Sequence, residues 1–388
     1  MTLKIAIIAG EPSGDMLAAQ LISTLKVQSV EPIEFLGIGG EQMALQGFTS
    51  LYPMDTLSIG GYGLDVLSAI PKIYLLYRKV CTAIIDFKPD VFIGVDAPDF
   101  NFHVEKKLHK CGIKTIHYVS PTIWGWRYER IFKIKKTTDL MLCIFPMEEN
   151  IYKKENIKAK FVGNPLANKI DLEINSKVFR KVLQGSTIKD LDLNAPIFTV
   201  LVGSRVAEIK KLAPIFIGAC GVVAKKIPNA LFLFPFANKK IYDAFILIMN
   251  TFDVSFKYHI LLNQTSDAIK ACDVGLVKSG TVSLEVALCK KPMVISYKVS
   301  KFTEWLVRQK IKIKYVGLPN ILLNEEVAKE LLQDDATADK LANEMLDLYE
   351  NKDRQEYIIK RFYELHRMLK ENDHYKAANT ILEFIKEA

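Results

Sequence analysis

Residues 197–208 read IFTVLVGSRVAE: a short run of β-branched and aromatic character, 197–202, that reaches a Gly-Ser turn and passes directly into a helical pattern. Residues 91–95, VFIGV, form a second such run and end in Asp96. Such short runs signal buried strands, and 91–95, with no polar side chain in it, is expected of a parallel sheet covered on both faces. In the first run Gly203 permits a tight turn, Ser204 is a good N-cap and Glu208 falls in the opening turns of the helix. A strand that runs through such a turn into a helix start gathers backbone N–H groups at one point, which suits an anion. Arg205 adds a planar cationic fork matched to phosphate. Two readings stand at this point: a diphosphate site that opens the second half of the chain, or an ordinary strand–turn–helix with Arg205 in solvent.

The same unit opens the chain. Residues 3–9 read as a strand, GEPSGD follows at 10–15, and Leu17, Leu21, Ile22 and Leu25 mark a helix. This is the first unit of a doubly wound α/β domain, although the turn lacks the GxGxxG spacing of a dinucleotide site. Gly10 and Gly14 would let a ligand approach the backbone. Glu11 and Asp15 place carboxylates there, which favours a sugar hydroxyl or an amine over a phosphate. Ser13 and Asp15 would equally serve as helix caps. Asp96 lies directly at the carboxyl end of its strand, where open α/β sheets bind ligands, and is a candidate general base. Asp99 fits a capping role better.

Further strands are expected at 34–40, 114–119, 139–145 and 161–163, with a domain boundary near the Asn164-Pro165 turn. A second series follows at 197–202, 231–236, 258–262, 274–277 and 294–297. Ser279, Gly280 and Thr281 open another helix suited to a phosphate, and Glu285, one turn further in, is placed for ribose hydroxyls. Residues 315–322 read as a loop turned by Pro319 and Asn320, and the pattern from 325 onward reads as helical. The fold class is therefore α/β, with two Rossmann-like doubly wound domains at 1–165 and 166–350. C-terminal helices at 351–388 are free to pack back on the first domain.

The length of 388 residues agrees with two domains, and the net charge of +8 favours anionic partners. The six cysteines are scattered without a CxxC pair and read as reduced thiols, so a metal site built from them is not expected. No signal peptide is expected, because the first strand begins almost at once, and no run of roughly 18 apolar residues is available to span a membrane. Three segments mix aromatic and basic residues. A glycine lead at 60, 61 and 63 enters an apolar helical face that runs from Val66 to Val80, in which Pro71 should kink or restart the helix. Trp124 and Trp126 precede Arg127, Arg130, Lys133, Lys135 and Lys136. The third is 298–314. Such segments suit a membrane surface, an acyl chain, a sugar or nucleic-acid bases, and each is also an ordinary helix face with solvated cations.

The motifs GEPSGD, DAPDFN (96–101), HYVSPTIWGWR (117–127), FVGNP, GSRxxE, SGTxxLE, PMVISYKVSKFT and YVGLPN occur here in one order. Together they resemble the lipid-A-disaccharide synthase family across nearly the whole chain. The resemblance implies a GT-B architecture and an inverting glycosyl transfer. UDP-2,3-diacylglucosamine would be joined to 2,3-diacylglucosamine 1-phosphate (lipid X), releasing UDP and forming a β-1,6 disaccharide. It implies Asp96 as base and Arg205 on the diphosphate. UDP would be held by Gly203, Ser204, Arg205, Asn238, Ser279, Gly280, Thr281 and Glu285. Glu11, Ser13, Asp15 and Asn320 would face the sugars. No metal and no cofactor is implied. The implied setting is cytoplasmic, at the inner membrane of a Gram-negative bacterium, with an anionic membrane surface and a second copy of the chain as partners and no nucleic acid. The chain departs from the family pattern at Val202, usually Pro, and at Asn164, commonly His. Competing readings are another GT-B nucleotide-sugar enzyme, such as a peptidoglycan-type N-acetylglucosaminyltransferase or an epimerase, and a non-catalytic RNA- or phospholipid-binding module.

Overall fold

A computed structural model describes residues 2–57, 64–125, 128–299, 313–371 and 374–387. The glycines at 60, 61 and 63, Trp126, Arg127 and the basic segment from Lys301 to Lys312 lie outside the described residues. The chain divides into two compact units, Met1–Asn168 with Leu369–Ala388, and Lys169–Met368. The stretch 351–388 is thus shared: the helix Lys352–Leu369 belongs almost wholly to the second unit, and the helix Lys376–Lys386 to the first.

The first unit carries a parallel sheet of β1 (Leu3–Ala9), β2 (Ile33–Ile38), β3 (Val91–Val95), β4 (Lys114–Tyr118), β5 (Leu140–Cys143) and β6 (Ala159–Phe161), in the order β2-β1-β3-β4-β5-β6. Alternate residues serve opposite faces, as strand geometry dictates. Ile5, Ile7, Ala9, Val91, Ile93 and Val95 pack with the helices Pro12–Gln28 and Lys376–Lys386. Ala6, Ile8 and Phe92 pack with Val80 and Ile84 of the helix Leu64–Phe87 and with Val104 and Leu108 of the helix Pro98–His109. Every residue of β3 is buried, which accounts for its unbroken apolar sequence. The helix Leu64–Phe87 is one element of 24 residues, so Pro71 does not restart it.

The second unit repeats the plan with β7 (Ile197–Leu201), β8 (Leu231–Phe236), β9 (Lys257–Leu262), β10 (Val274–Lys278), β11 (Met293–Tyr297) and β12 (Glu330–Leu332), ordered β12-β11-β10-β7-β8-β9 and parallel. The chain winds outward in one direction from β1 and from β7, then returns to build on the other side. Each sheet therefore has a switch point, between β1 and β3 and between β7 and β10, and the loops that leave those strands meet there.

Two expectations for the C-terminal half give way. The loop expected at 315–322 contains the helix Leu318–Leu323, because Pro319 sits in its first turn, where a fixed φ and a missing N–H cost nothing. Within the stretch expected as helical, Glu330–Leu332 is an edge strand paired with β11. No described helix is long and apolar enough to cross a membrane.

Candidate active site

At the switch point of the second sheet, β7 ends at Leu201 and the chain turns at Gly203, whose φ of +129° favours glycine. A Cβ at Gly203 would stand 2.7 Å from the Glu208 carboxylate. The helix that follows is Val206–Lys226 and its N-cap residue is Arg205, not Ser204. Glu208 takes over the capping work from within the first turn, accepting from the Ser204 N–H at 3.0 Å and from Arg205 Nη1 at 3.3 Å. Its carboxylate also lies 3.0 Å from Lys278 Nζ at the end of β10. Burial pushes the Glu208 carboxyl up, but the Lys278 hydrogen bond and charge, the Ser204 N–H and Arg205 outweigh it and hold it below the ordinary value.

After β8, Asn238 caps the helix Lys239–Met249, its Oδ1 accepting from the Ile241 N–H at 3.1 Å. After β10, Gly280 is the cap residue of the helix Thr281–Leu288. These junctions enclose a cavity of about 480 Å³ whose walls include Gly203, Ser204, Arg205, Asn238, Lys278, Gly280 and Thr281. Three helices thus begin at one cavity, and their first N–H groups have no intrahelical acceptors. Ser279 and Glu285 are not in its walls. The Ser279 hydroxyl donates to the Val316 carbonyl at 2.9 Å. Glu285 is half-buried, and its carboxyl is raised by burial against the opposing pull of the Ser266 hydroxyl, Lys270 and Lys169.

Asn320 must be reassigned. It is fully buried, donates to the Ala328 carbonyl at 2.7 Å and to Glu330 Oε1 at 2.8 Å, and accepts from the Ala328 N–H at 2.9 Å. Its amide splices the Leu318–Leu323 helix to the edge strand, with both N–H donors and one Oδ1 lone pair committed within the second unit.

At the switch point of the first sheet, two consecutive non-glycine residues, Asp96 and Ala97, take φ of +52° and +43°. Val119, the residue that follows β4, has φ of +81°, unusual for a β-branched residue. Strain of this kind, concentrated at the carboxyl ends of central strands, is a feature of functional sites. The Asp96 carboxylate is half-buried. The glycine-rich turn after β1 lies against this bend: a Cβ on Gly10 would come within 3.0 Å of Ala97 Cβ, and one on Gly14 within 3.4 Å of the Val95 carbonyl. Glu11, the N-cap residue of the helix Pro12–Gln28, and Ser13, in its first turn, are exposed, and Glu11 makes no side-chain cap.

Asp15, expected to face the sugars, is like Asn320 spent on backbone groups of its own unit. It is buried, and its carboxylate accepts from the N–H groups of Gly40, Gln42 and Met43 at 2.8, 2.9 and 3.1 Å. It caps the neighbouring helix Glu41–Leu45, and that work commits its carboxylate inside the first unit. Asp99 is exposed and pairs with Arg130 at 3.1 Å, without a capping bond. Trp124 donates to the buried Glu148 at 3.2 Å, which anchors one edge of its ring. Asn164 is buried and its Oδ1 accepts from the Leu166 N–H at 3.0 Å, so at the position that departs from the motif the side chain works as a helix cap.

The sequence reading passed over Lys278, Glu208 as a hub, and Asn101. Lys278 could have been found as the last residue of a strand whose successor segment, SGT, opens a helix. Among the described residues, no group of three His, Cys, Asp or Glu side chains is placed to hold a metal.

A family model described as lipid-A-disaccharide synthetase matches residues 5–383. The lipid-A-disaccharide synthase of Dechloromonas aromatica (strain RCB) is 42% identical over 383 residues, covering 98% of this chain and 98% of that protein. That of Chromobacterium violaceum is 43% identical over 382 residues, covering 98% of this chain and 97% of its own length. Among solved structures, UDP-GlcNAc 2-epimerase from Neisseria meningitidis bound to UDP-GlcNAc superposes with a TM-score of 0.61 at 14% identity, covering the whole of both chains. A putative UDP-N-acetylglucosamine 2-epimerase from Listeria monocytogenes gives 0.65 at 13% identity, covering 100% of this chain and 96% of that one. Identities this low show a shared GT-B-like fold and nothing further.

Proposed function

The chain belongs to the lipid-A-disaccharide synthase family, a family of glycosyltransferases, and from that premise we propose that it joins UDP-2,3-diacylglucosamine to 2,3-diacylglucosamine 1-phosphate with inversion. The observation that carries this reading is the cavity at the β7/β10 switch point, where Gly203, Ser204, Arg205, Asn238, Gly280 and Thr281 converge from separate strand–helix junctions. Such a convergence of helix starts with an arginine suits the diphosphate of UDP and the negative charge that grows on it as the glycosidic bond breaks. Ser279 and Glu285, close in sequence to the wall residues Gly280 and Thr281, complete the proposed UDP set.

In the reaction the acceptor hydroxyl oxygen bonds to the anomeric carbon of the donor as the bond from that carbon to the diphosphate oxygen breaks. The hydroxyl proton passes to the Asp96 carboxylate and UDP leaves with the bonding pair. One displacement inverts an α-linked donor to a β product, and one general base suffices. Glu11 and Ser13, exposed beside the Asp96 bend, are the sugar contacts of the first unit.

A diacylated substrate calls for an apolar face rimmed by cations. The first unit has a groove of about 550 Å³ lined by Ile73, Tyr74, Tyr77 and Phe100 and bordered by Lys106, Lys107 and Lys110. Tyr74 and Leu75 are 61% and 53% exposed beside it. This face would lie on the cytoplasmic leaflet of the inner membrane. Replacing the three lysines with Ser should reduce sedimentation with anionic vesicles, and unchanged sedimentation would count against the membrane assignment.

The decisive experiment is UDP release from UDP-2,3-diacylglucosamine with and without 2,3-diacylglucosamine 1-phosphate, for the wild type and Asp96→Asn. Release that needs the acceptor and collapses in the variant supports the reaction and the base. Release that survives in the variant moves the base elsewhere, and no release by folded wild type overturns the substrates.

A further inference from the structure

We propose that Lys278 is the buried cation that binds the diphosphate in the β7/β10 cavity, shared there between Glu208 and the phosphate oxygens. This rests on reading that cavity as the UDP site and adds to it a residue that the GSR and SGT motifs do not contain.

Among the described residues two cations line the cavity, and their surroundings differ. The Arg205 side chain is 78% exposed and touches Glu208 at 3.3 Å, whereas the Lys278 side chain is 13% exposed and lies 3.0 Å from a Glu208 carboxylate that is itself 10% exposed. A charge held away from water attracts a phosphate more strongly than one screened by it. The Tyr297 ring sits 5.1 Å from Nζ and braces the ammonium from the side.

Lys278 also stands where the phosphate would be. It closes β10, the strand that enters the switch point, and its Nζ lies 3.4 Å from where a Cβ on Gly280 would be. A side chain at 280 would cover the ammonium. Glycine leaves it open to the cavity and beside the first N–H groups of the Thr281–Leu288 helix. An ammonium has three donors, and Glu208 takes one of them.

The charge balance agrees. One carboxylate, Glu208, serves both Lys278 and Arg205, so the wall keeps a net positive charge when empty. An arriving diphosphate can engage Lys278 without stranding Glu208, which retains the Ser204 N–H and Arg205.

The test is titration calorimetry with UDP and with uridine, at low and high salt, for wild type, Lys278→Gln, Arg205→Gln and the neutral pair Lys278→Gln with Glu208→Gln. The pair leaves no buried carboxylate without a counter-charge, so it stands in if the single variant folds poorly. Loss of a charge-assisted hydrogen bond in a half-dry site weakens UDP binding by about 10- to 100-fold. Uridine affinity should stay as in wild type, and the salt dependence of UDP binding should flatten. UDP binding by Lys278→Gln as tight and as salt-sensitive as wild type, with the loss confined to Arg205→Gln, overturns the inference alone. Wild type that binds uridine and UDP equally, or neither, overturns the diphosphate site and the inference with it.

Discussion

The side-chain amide of Asn101 donates to the main-chain carbonyl of Asp96 at 2.8 Å, from a position with no solvent exposure. The same Nδ2 reaches the carbonyls of Val95 at 3.3 Å and Ile8 at 3.4 Å, so one side chain ties the end of β3 to β1. It holds a bend in which two successive non-glycine residues have positive φ, a conformation that costs on the order of 1–3 kcal/mol for each residue. Asn101 thus holds the stretch of backbone that carries Asp96, the base we propose for the transfer. Asn101→Ala should lower kcat for acceptor-dependent UDP release by about 10- to 100-fold, with KM for the donor little changed, since small misplacements of a reacting group cost that much. Unchanged kcat in a folded variant would show that the bend holds itself.

Gly203 combines a left-handed backbone with a crowded Cβ position. Its φ of +129° disfavours any L-residue, and a Cβ would stand 2.7 Å from Glu208 Oε2. That carboxylate cannot retreat without giving up the Ser204 N–H, Arg205 and Lys278 together. Gly203→Ala is therefore expected to cost about 1–3 kcal/mol of stability and to weaken UDP binding. Denaturant unfolding and UDP titration on the same sample check both; a variant of wild-type stability and affinity would mean that the turn relaxes freely.

Asn320 tests the distinction between a splice and a contact. Removing its amide strands the buried Ala328 N–H and carbonyl, at about 1–3 kcal/mol for each unpaired group. Asn320→Ala should lower the melting temperature clearly, while the protein that remains folded keeps the wild-type KM for the acceptor. A selective rise in that KM with normal stability would restore Asn320 to the sugar site.

These residues also mark what could be read from the sequence. The strands at 3–9, 91–95 and 231–236 were legible to the residue, because burial on both faces leaves an apolar run through the whole of the last two and through residues 5–9 of the first. The Gly-Ser-Arg and Ser-Gly-Thr junctions were legible for the same reason: each lies where such a run stops. Polar residues nearby were not. Asp15 and Asn320 look in sequence like ligand contacts, since a buried cap and a sugar contact both need a short side chain with two oxygens or an amide. Only the fold tells which N–H groups they serve. Glu330–Leu332 carries no strand signal, because three half-buried residues on a sheet edge have no room to show a period. Lys278 was hidden by ordinariness, a lysine at a strand end, until Glu208 closed on it from another strand's helix.

Glu148 makes stability depend on pH. Its carboxyl is fully buried, and burial raises its pKa from the ordinary 4.5 to about 7 against the opposing hydrogen bonds of the Phe145 N–H, Ser120 and Trp124. The folded state therefore holds this proton more tightly than the unfolded chain. Wherever the folded state binds the extra proton, stability falls as pH rises. The contribution is fully present below about pH 4.5, declines through the interval and is lost above about pH 7. Over the whole interval it amounts to something on the order of 3 kcal/mol. Glu148→Gln stays neutral at every pH and should remove this slope. Urea unfolding at about pH 5 and about pH 8 isolates the effect as the difference between the two proteins, since every other titrating group is common to both. The wild type should lose stability relative to Glu148→Gln on going to the higher pH. Trp124 fluorescence should follow the same titration in the folded wild type, because its indole N–H donates to this carboxyl. Parallel stability profiles with a pH-independent Trp124 signal would mean that Glu148 is ionised throughout and that its hydrogen bonds, not burial, set its charge.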